Sequence, residues 1–136
     1  MMQVTVELIE GPLSGEGRWG GELPSDVGAV IRFEGVVRRM EAGQRLSALA
    51  YEQYPPMTER ELHRLASEVG EAHGLLAIRV THSYGKVPVG AVSFRLEIAS
   101  AHRAEGIKAM DVFIDRLKRE VPLWKVAVWE GEVSSS

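Results

Sequence analysis

Two lysines, Lys118 and Lys125, lie on either side of Pro122. Proline cannot continue a helix and disfavours helical backbone at the residue before it, so the chain must bend after Val121. Two primary amines that flank one fixed bend can converge on a single pocket, where Trp124 would supply an apolar wall. Such a pocket suits an anion or an acyl group. The simpler alternative is that lysines near a helix C-terminus complement the helix dipole.

A pair of arginines, Arg38 and Arg39, ends an apolar stretch that starts at Gly28. A planar guanidinium is well suited to bidentate capture of a phosphate. If the strand continues through both residues, they point to opposite faces, so one of them at most faces a given pocket. A solvated strand end is the alternative explanation.

A third group of cationic side chains follows Ser100, which is a favoured N-cap residue. The sequence therefore predicts a second helix with Ala101, His102 and Arg103 in its first turn. Free backbone N–H groups gather at this end, and together with the two side chains they could hold a phosphate or a carboxylate. A cation at this end is unfavourable for the helix dipole. A bound anion would explain its presence better than the alternative, in which the positive charge is tolerated at a small cost. The predicted buried stripe of this helix is Ile107, Met110, Ile114, Leu117 and Val121.

The first helix is predicted from a Thr-Glu-Arg-Glu pattern at Thr58, which is typical of a capping box. Met57 and Leu62 have the spacing of a hydrophobic staple, and Gly74 is a natural helix stop. His63 and His73 have no partners at metal-ligand spacing, so no metal site is predicted. The predicted buried stripe is Leu62, Leu65, Ala66, Val69 and Ala72.

Alternating or β-branched segments predict the strands that must position these groups. An interior glycine, Gly35, indicates a bulge or a close backbone approach. Tyr84–Pro88 is predicted as the loop of an antiparallel hairpin. The predicted strands are Gln3–Ile9, Gly28–Arg39, Leu46–Tyr54, Leu75–Ser83, Val89–Ala99 and Trp124–Trp129.

The chain of 136 residues fits one domain, residues 1–136. Residues 11–21 form a glycine-rich loop with Trp19 as its apolar anchor, and residues 130–136 are expected to fray. The loop is not a P-loop, because no Gly-Lys-Ser/Thr follows it. A net charge of -3 argues against general adsorption to nucleic acid or membranes.

The chain contains no cysteine, which excludes disulfides, thiolate metal sites and a cysteine nucleophile. This absence fits a reducing compartment. The N-terminal residues lack a basic region followed by an apolar run, and no apolar segment reaches membrane-spanning length. We therefore expect a cytoplasmic protein.

The order and spacing of several short motifs resemble the large, catalytic subunit of molybdopterin synthase. The resemblance implies one α+β domain with a mostly antiparallel sheet and two principal helices. It runs from Gly28 to Lys125, and its landmarks are Gly28-Ala29-Val30, Phe33, Gly35, Val37-Arg38, Tyr51-Glu52-Gln53-Tyr54, Met57, His82, Gly85, Ser100-Ala101-His102-Arg103, Asp115-Arg116-Leu117-Lys118 and Val121-Pro122-Leu123-Trp124-Lys125.

This resemblance implies a sulfurtransferase of molybdenum cofactor biosynthesis. Such enzymes convert cyclic pyranopterin monophosphate to molybdopterin with sulfur from the C-terminal Gly-Gly thiocarboxylate of a small ubiquitin-like partner. A homodimer that docks one partner on each protomer, a heterotetramer, is implied, and no cofactor is expected. By resemblance the substrate-binding residues are Val36, Val37, Arg38, His102, Arg103, Lys118, Lys125, Val126 and Ala127.

The roles of these residues follow from their charge. Arg38, His102 and Arg103 are expected to hold the phosphate and the pterin through charge-assisted hydrogen bonds. Lys118 is expected to meet the partner's terminal carbonyl and the transferring sulfur, either as a stabilising charge or as an acid/base. Lys125 would support it, and both lysines are the predicted catalytic residues.

Two positions depart from the family pattern, which usually has arginine at Ser83 and glutamate at Ala127. They leave open a second hypothesis, a diverged paralogue that docks the sulfur carrier without turnover. A third, a small nucleotide- or RNA-binding domain using Arg38, Arg39 and Arg103, is disfavoured by the acidic balance and the lack of an aromatic-basic surface motif.

Overall fold

The structure is a computed structural model that describes residues 2–15, Trp19 and residues 22–131. Within these residues, no helix is long and apolar enough to cross a membrane. The elements in chain order are β1 (Gln3–Glu10), β2 (Ala29–Val36), β3 (Met40–Glu41), β4 (Gln44–Gln53), α1 (Met57–Ala72), β5 (Ala77–Pro88), β6 (Val92–Ser100), α2 (Arg103–Glu120) and β7 (Leu123–Trp129).

The strands form one seven-stranded sheet in the order β2-β6-β5-β4-β3, with β1 beside β5 and β7 beside β4. Every pair is antiparallel except β1 with β5, which is parallel. The two helices contact each other and the strands β1, β2, β5 and β6. The predicted α+β class with a mostly antiparallel sheet and two principal helices is confirmed.

The main core lies between the helices and the sheet, because both contribute an apolar face. Fully buried side chains include Leu62 and Leu65 of α1, Phe113 of α2, and Ile78 and Ile98 of the sheet. Burial of each such side chain contributes about 1.5–3 kcal/mol relative to exposure. This core fixes α2, and therefore the position of the lysine in its last turn.

The strand β5 continues through the predicted loop Tyr84–Pro88, so that prediction is wrong. Gly85 has a φ of 77°, which lets the strand bend without ending. Before the bend β5 pairs with β6, and after it Gly85 to Pro88 pair with β4. The hairpin is antiparallel as predicted, but its connection is residues 89–91.

The strand β2 is shorter than predicted and ends at Val36. Its register shifts between Gly35 and Val36, which confirms the predicted irregularity at the glycine. Arg38 and Arg39 therefore lie beyond the strand, and the alternation argument does not apply to them. The strands predicted at residues 3–9, 46–54 and 124–129 are present, with bounds that differ by at most two residues.

The predicted capping box at Thr58 is wrong. The helix α1 starts at Met57 with Pro56 as its N-cap, and no side-chain cap forms among the described residues. Thr58 is fully buried inside the first turn, where its hydroxyl accepts from the Tyr54 N–H at 2.8 Å and donates to the Pro122 carbonyl at 2.7 Å.

The remaining α1 predictions have mixed outcomes. Met57 is 56% exposed, so it forms no buried staple. Leu62, Leu65, Ala66 and Val69 are buried, whereas Ala72 is exposed because it lies at the end of the helix. The helix stops before Gly74, which has a φ of 64°. His63 is exposed and His73 is half-buried.

The predicted N-cap of α2 at Ser100 is also wrong. Ser100 is the last residue of β6, and its hydroxyl donates to the backbone carbonyl of His102 at 2.6 Å. His102 is the N-cap, and the helix starts at Arg103. A β-carbon at Gly106 would collide with Ile31, so Gly106 marks the closest approach of α2 to the sheet.

This close approach sets the rotation of α2. Ile107, predicted to be buried, is 56% exposed. Ile114 and Leu117, also predicted to be buried, are half-buried. The buried residues of the helix are Gly106, Ala109, Met110 and Phe113, and Val121 is buried just beyond its end.

The glycine-rich loop is described in part, since residues 16–18, 20 and 21 lie outside the described residues. Leu13 is buried and bridges to Val92. Trp19 is half-buried, and the Arg79 guanidinium lies 5.1 Å from its ring centroid. Glu130 and Gly131 form a turn, and the rest of the predicted tail, residues 132–136, lies outside the described residues.

Candidate functional site

A cavity of about 730 Å³ opens where the end of α2 meets the start of β7. This size is typical of pockets that hold a small organic ligand. Its rim is cationic, one wall is apolar and its floor is aromatic. The rim residues are Arg38, Lys118 and Lys125.

The two lysines reach the cavity from two different elements. Lys118 lies in the last turn of α2, and Lys125 is the third residue of β7. Both side chains are exposed, and neither forms an ion pair or hydrogen bond with any described residue. Their ammonium groups are therefore available to bind an anionic or carbonyl-bearing ligand.

The bend between the lysines is held at several points. The helix C-cap, Val121, has extended backbone, and its N–H donates to the Leu117 carbonyl at 3.2 Å. The carbonyl of Pro122 accepts the Thr58 hydroxyl. Beyond the bend, Lys125 is paired with Tyr51 of β4 in the sheet register. The rigid bend at Pro122 and the pairing of β7 with β4 thus both fix the distance between the two lysines.

The apolar wall beside the lysines contains Trp124, whose side chain is 62% exposed. Ile114 and Leu117 of α2 and Leu123 of β7 complete this wall. An exposed indole next to a cationic rim provides a flat apolar surface at the mouth of the cavity.

The end of β2 and the two residues after it contain three predicted site residues, of which two line the cavity. Val36, 51% exposed, and Arg38 line it. The Arg38 side chain is 80% exposed and lies 3.8 Å from the Glu41 carboxylate. Val37 is 2% exposed and packs with Tyr51 and Val87, so it supports the cavity from beneath.

The other predicted residues lie elsewhere in this chain. His102 and Arg103 are at the opposite end of α2, about 22 Å along the helix from Lys118 at a rise of about 1.5 Å per residue. The His102 side chain is 84% exposed and lies 3.8 Å from the Glu105 carboxylate. Val126 and Ala127 belong to β7 but do not line the cavity. The structure therefore brings together Val36, Arg38, Lys118 and Lys125 only.

The cavity floor contains residues that charge and spacing did not identify as functional. His82 makes an edge contact with Tyr51 at 5.1 Å between ring centroids and a tilted contact with Phe94 at 5.4 Å. The Tyr51 hydroxyl and the Ser93 hydroxyl are 2.9 Å apart. The signal in the sequence was strand alternation, which places His82 on the same face as the buried Ile78 and Val80.

Burial is the main cause that lowers the pKa of His82 to about 4; a hydrogen bond with Ser83 opposes this shift, and the positive charge of Lys125 adds a smaller lowering effect. The imidazole is therefore neutral near pH 7. Burial also raises the pKa of the Tyr51 phenol, which keeps its proton. The floor is thus uncharged, in contrast to the rim.

Two carboxylates also line the cavity, Glu34 and Glu41. The Glu34 carboxylate is paired with the Arg95 guanidinium at 2.7 Å, which neutralises it. The Glu41 carboxylate lies 3.8 Å from the Arg38 guanidinium, which leaves Lys118 and Lys125 as the rim cations without a carboxylate partner among the described residues. The cavity favours an anion. Among the described residues, no cluster of His, Asp and Glu could hold a metal ion.

Comparison with known proteins finds one family model and many relatives. The family model described as MoaE protein matches residues 19–120. The rat molybdopterin synthase catalytic subunit is 37% identical over 108 residues, which are 79% of this chain and 54% of the rat protein. The corresponding Staphylococcus carnosus protein is 32% identical over 124 residues, 91% of this chain and 83% of that protein. The chain spans about half the length of the mammalian relatives.

Solved structures show the same fold. The molybdopterin synthase structure from Staphylococcus aureus superposes with a TM-score of 0.82 at 28% identity, covering 92% of this chain and 91% of that one. A complex of subunits 1 and 2 of molybdopterin-converting factor from Helicobacter pylori superposes with a TM-score of 0.68 at 19% identity, covering 95% and 92%. At that identity the second likeness concerns the fold alone.

Proposed function

The chain belongs to the MoaE protein family, and on that basis we propose that it is the catalytic subunit of a molybdopterin synthase. The observation that carries this proposal is the convergence of Lys118, Lys125 and Arg38 on one cavity. In the proposed reaction, cyclic pyranopterin monophosphate is converted to molybdopterin. The sulfur comes from the C-terminal thiocarboxylate of a small ubiquitin-like partner, which makes the protein a sulfurtransferase.

The partner enters through its C-terminal tail in this proposal. The cavity is open at the rim, and its mouth carries the exposed Trp124, against which a narrow Gly-Gly tail would pack. Because this chain contains no cysteine, the transferable sulfur has to arrive on another molecule. The cysteine-free composition also supports the cytoplasm as the site of the reaction.

Lys118 is proposed to act on the thiocarboxylate itself. Once the thiocarboxylate sulfur has bonded to the substrate, water adds to the acyl carbon and negative charge develops on its carbonyl oxygen, where a fixed ammonium stabilises it. The acyl C–S bond then breaks, which leaves the sulfur on the substrate and a carboxylate on the partner. Lys125 approaches from the opposite side of the bend and supports the same group. Arg38 carries a guanidinium suited to the substrate phosphate.

His102 and Arg103 need a second copy of the chain in this proposal. The resemblance assigns them to substrate binding, yet they lie at the far end of α2 from Lys118. A homodimer could supply them to the cavity of the neighbouring protomer. With one small partner on each protomer, the assembly would be a heterotetramer.

The two departures from the family pattern do not affect the cavity lining. Ser83 is fully buried, and its hydroxyl donates to the Gly11 carbonyl at 2.6 Å. Ala127 is paired with Leu49 in the sheet. The alternative hypothesis, a paralogue that only docks the carrier, was based on these two departures. Since neither residue lines the cavity, they do not favour that alternative.

The experiment that separates the two hypotheses measures docking and product together. The purified chain is mixed with cyclic pyranopterin monophosphate and the thiocarboxylated partner, and molybdopterin and complex formation are both recorded. The enzyme is expected to form the complex and the product. A complex without product would support the docking paralogue.

A further inference from the structure

His82 lies on the cavity floor, and one of its two ring nitrogens already makes a hydrogen bond within the protein. Its Nδ1 lies 2.8 Å from the backbone carbonyl of Ser83. A carbonyl oxygen can only accept a hydrogen bond, so Nδ1 must carry the proton. In the neutral ring the other nitrogen, Nε2, then has a lone pair and no hydrogen.

The charge state of the ring makes this assignment stable around neutral pH. With a pKa of about 4, the imidazole takes up a second proton only in strong acid. At pH 7 Nε2 is therefore a hydrogen-bond acceptor. A group with so low a pKa is a poor general base at that pH, which argues for a role in binding rather than in proton transfer.

The accepting nitrogen is open to the cavity. His82 makes no hydrogen bond within the described chain other than that of Nδ1. Yet among the described residues no fully buried side-chain nitrogen or oxygen lacks a partner. It follows that Nε2 is in contact with solvent, and His82 lines the cavity.

The groups around the imidazole suit a flat heterocycle. The rings of Tyr51 and Phe94 pack against the imidazole, and the Tyr51 and Ser93 hydroxyls add a polar pair that can donate as well as accept. A ligand ring whose edge carries both N–H groups and acceptor atoms could hydrogen-bond to the Nε2 acceptor and to the two hydroxyls of the floor. The cationic rim remains for the charged end of the ligand.

We propose that Nε2 of His82 accepts a hydrogen bond from an N–H group on the fused heterocycle of the substrate and so orients the ring on the cavity floor. This inference rests on the proposed function, because that function supplies a phosphorylated heterocycle as the ligand. The competing donor is a peptide N–H in the partner's tail. The test distinguishes the two.

Two kinds of variant isolate the accepting atom. His82→Phe keeps a planar ring and removes the acceptor, and His82→Leu is a second acceptor-free variant in case the first does not fold. His82→Gln retains an acceptor near the position of Nε2. Calorimetric titration of each folded variant with cyclic pyranopterin monophosphate, and separately with the partner in its carboxylate form, measures binding without turnover.

The acceptor-free variants are expected to bind cyclic pyranopterin monophosphate about threefold to tenfold more weakly than the unmodified protein, the effect of one neutral hydrogen bond. His82→Gln is expected to stay within about twofold, and affinity for the partner is expected to be unchanged. Equal substrate affinity in all variants would overturn the proposal, as would a loss confined to the partner. If the unmodified protein bound the substrate but formed no product with the thiocarboxylated partner, that result would count against the proposed function alone.

Discussion

The hydroxyl of Thr58, at the start of α1, donates to the backbone carbonyl of Pro122, between the two lysines of the cavity, at 2.7 Å. The same oxygen accepts the Tyr54 N–H at 2.8 Å. One buried hydroxyl thus ties the end of β4, the start of α1 and the bend after α2 together. We infer that Thr58 positions the lysines without touching a ligand.

Thr58→Val should therefore reduce both stability and turnover. Valine has the same shape but leaves the Pro122 carbonyl and the Tyr54 N–H without a partner, at a cost of roughly 1–3 kcal/mol in the free energy of unfolding. Because the bend would loosen, kcat should fall more than KM rises. Urea unfolding and steady-state kinetics check both effects.

The matched control is Thr58→Ser, which keeps the hydroxyl. It should restore most of kcat even where the lost methyl group lowers stability. If Thr58→Val lowered stability but left kcat intact, Thr58 would be a purely structural residue.

Acid should destabilise the protein first through His82. Its pKa is lowered from 6.5 in the unfolded chain to about 4 in the folded one, so between these pH values the unfolded state binds the extra proton. Stability is therefore fully present above pH 6.5 and falls as pH drops toward 4, by ~3 kcal/mol. Urea unfolding at a series of pH values measures this slope. His82→Gln should flatten it, and an unchanged slope would show that the histidine is not responsible.

A second acid-sensitive group lies between the helices. Hydrogen bonds from Arg116 lower the pKa of Glu120 to about 2. Arg116 also contacts Glu68 of α1 at 2.7 Å, and Arg64 contacts both Glu68 and Glu120. The depressed pKa contributes stability above pH 4.5 that is lost as pH falls through 2.

The pH range separates this network from the histidine. Glu120→Gln should flatten the pH dependence of stability below pH 4.5 and leave the loss between pH 6.5 and 4.5 in place. Because Arg64 and Glu68 are exposed and Arg116 and Glu120 are only half-buried, the contribution should shrink at high salt. Thermal melting of the unmodified protein and of Glu120→Gln at low salt and at 1 M salt tests this salt dependence. A difference in melting temperature that is the same at both salt concentrations would contradict it.

The lysine pocket was predictable because its main constraint is local. Pro122 dictates a bend whatever the rest of the fold does, and Lys118 and Lys125 flank that bend within eight residues. The floor was not predictable in the same way. His82 meets Tyr51 only because β4 pairs with β5 and β7 over long sequence distances.

The errors at helix starts have one physical origin. Threonine and serine hydroxyls bind several kinds of backbone group, and sequence does not reveal which one is nearest. Thr58 and Ser100 both look like N-caps, but Thr58 binds Pro122 and Ser100 binds the carbonyl of His102. The distance of His102 and Arg103 from the cavity also depends on where α2 starts and how it is oriented, which no motif encodes.

We propose that sulfur transfer takes place in the cavity between α2 and β7, with Lys118 as its essential cation. The most direct test of this proposal compares molybdopterin formation by Lys118→Ala and Lys108→Ala. Each variant removes an exposed lysine from α2, but only Lys118 lines the cavity. We expect Lys118→Ala to lose about 10²–10³-fold in kcat with an unchanged melting temperature, as for removal of one group that stabilises a developing oxyanion, and Lys108→Ala to match the unmodified protein. Comparable turnover by both variants would contradict the account.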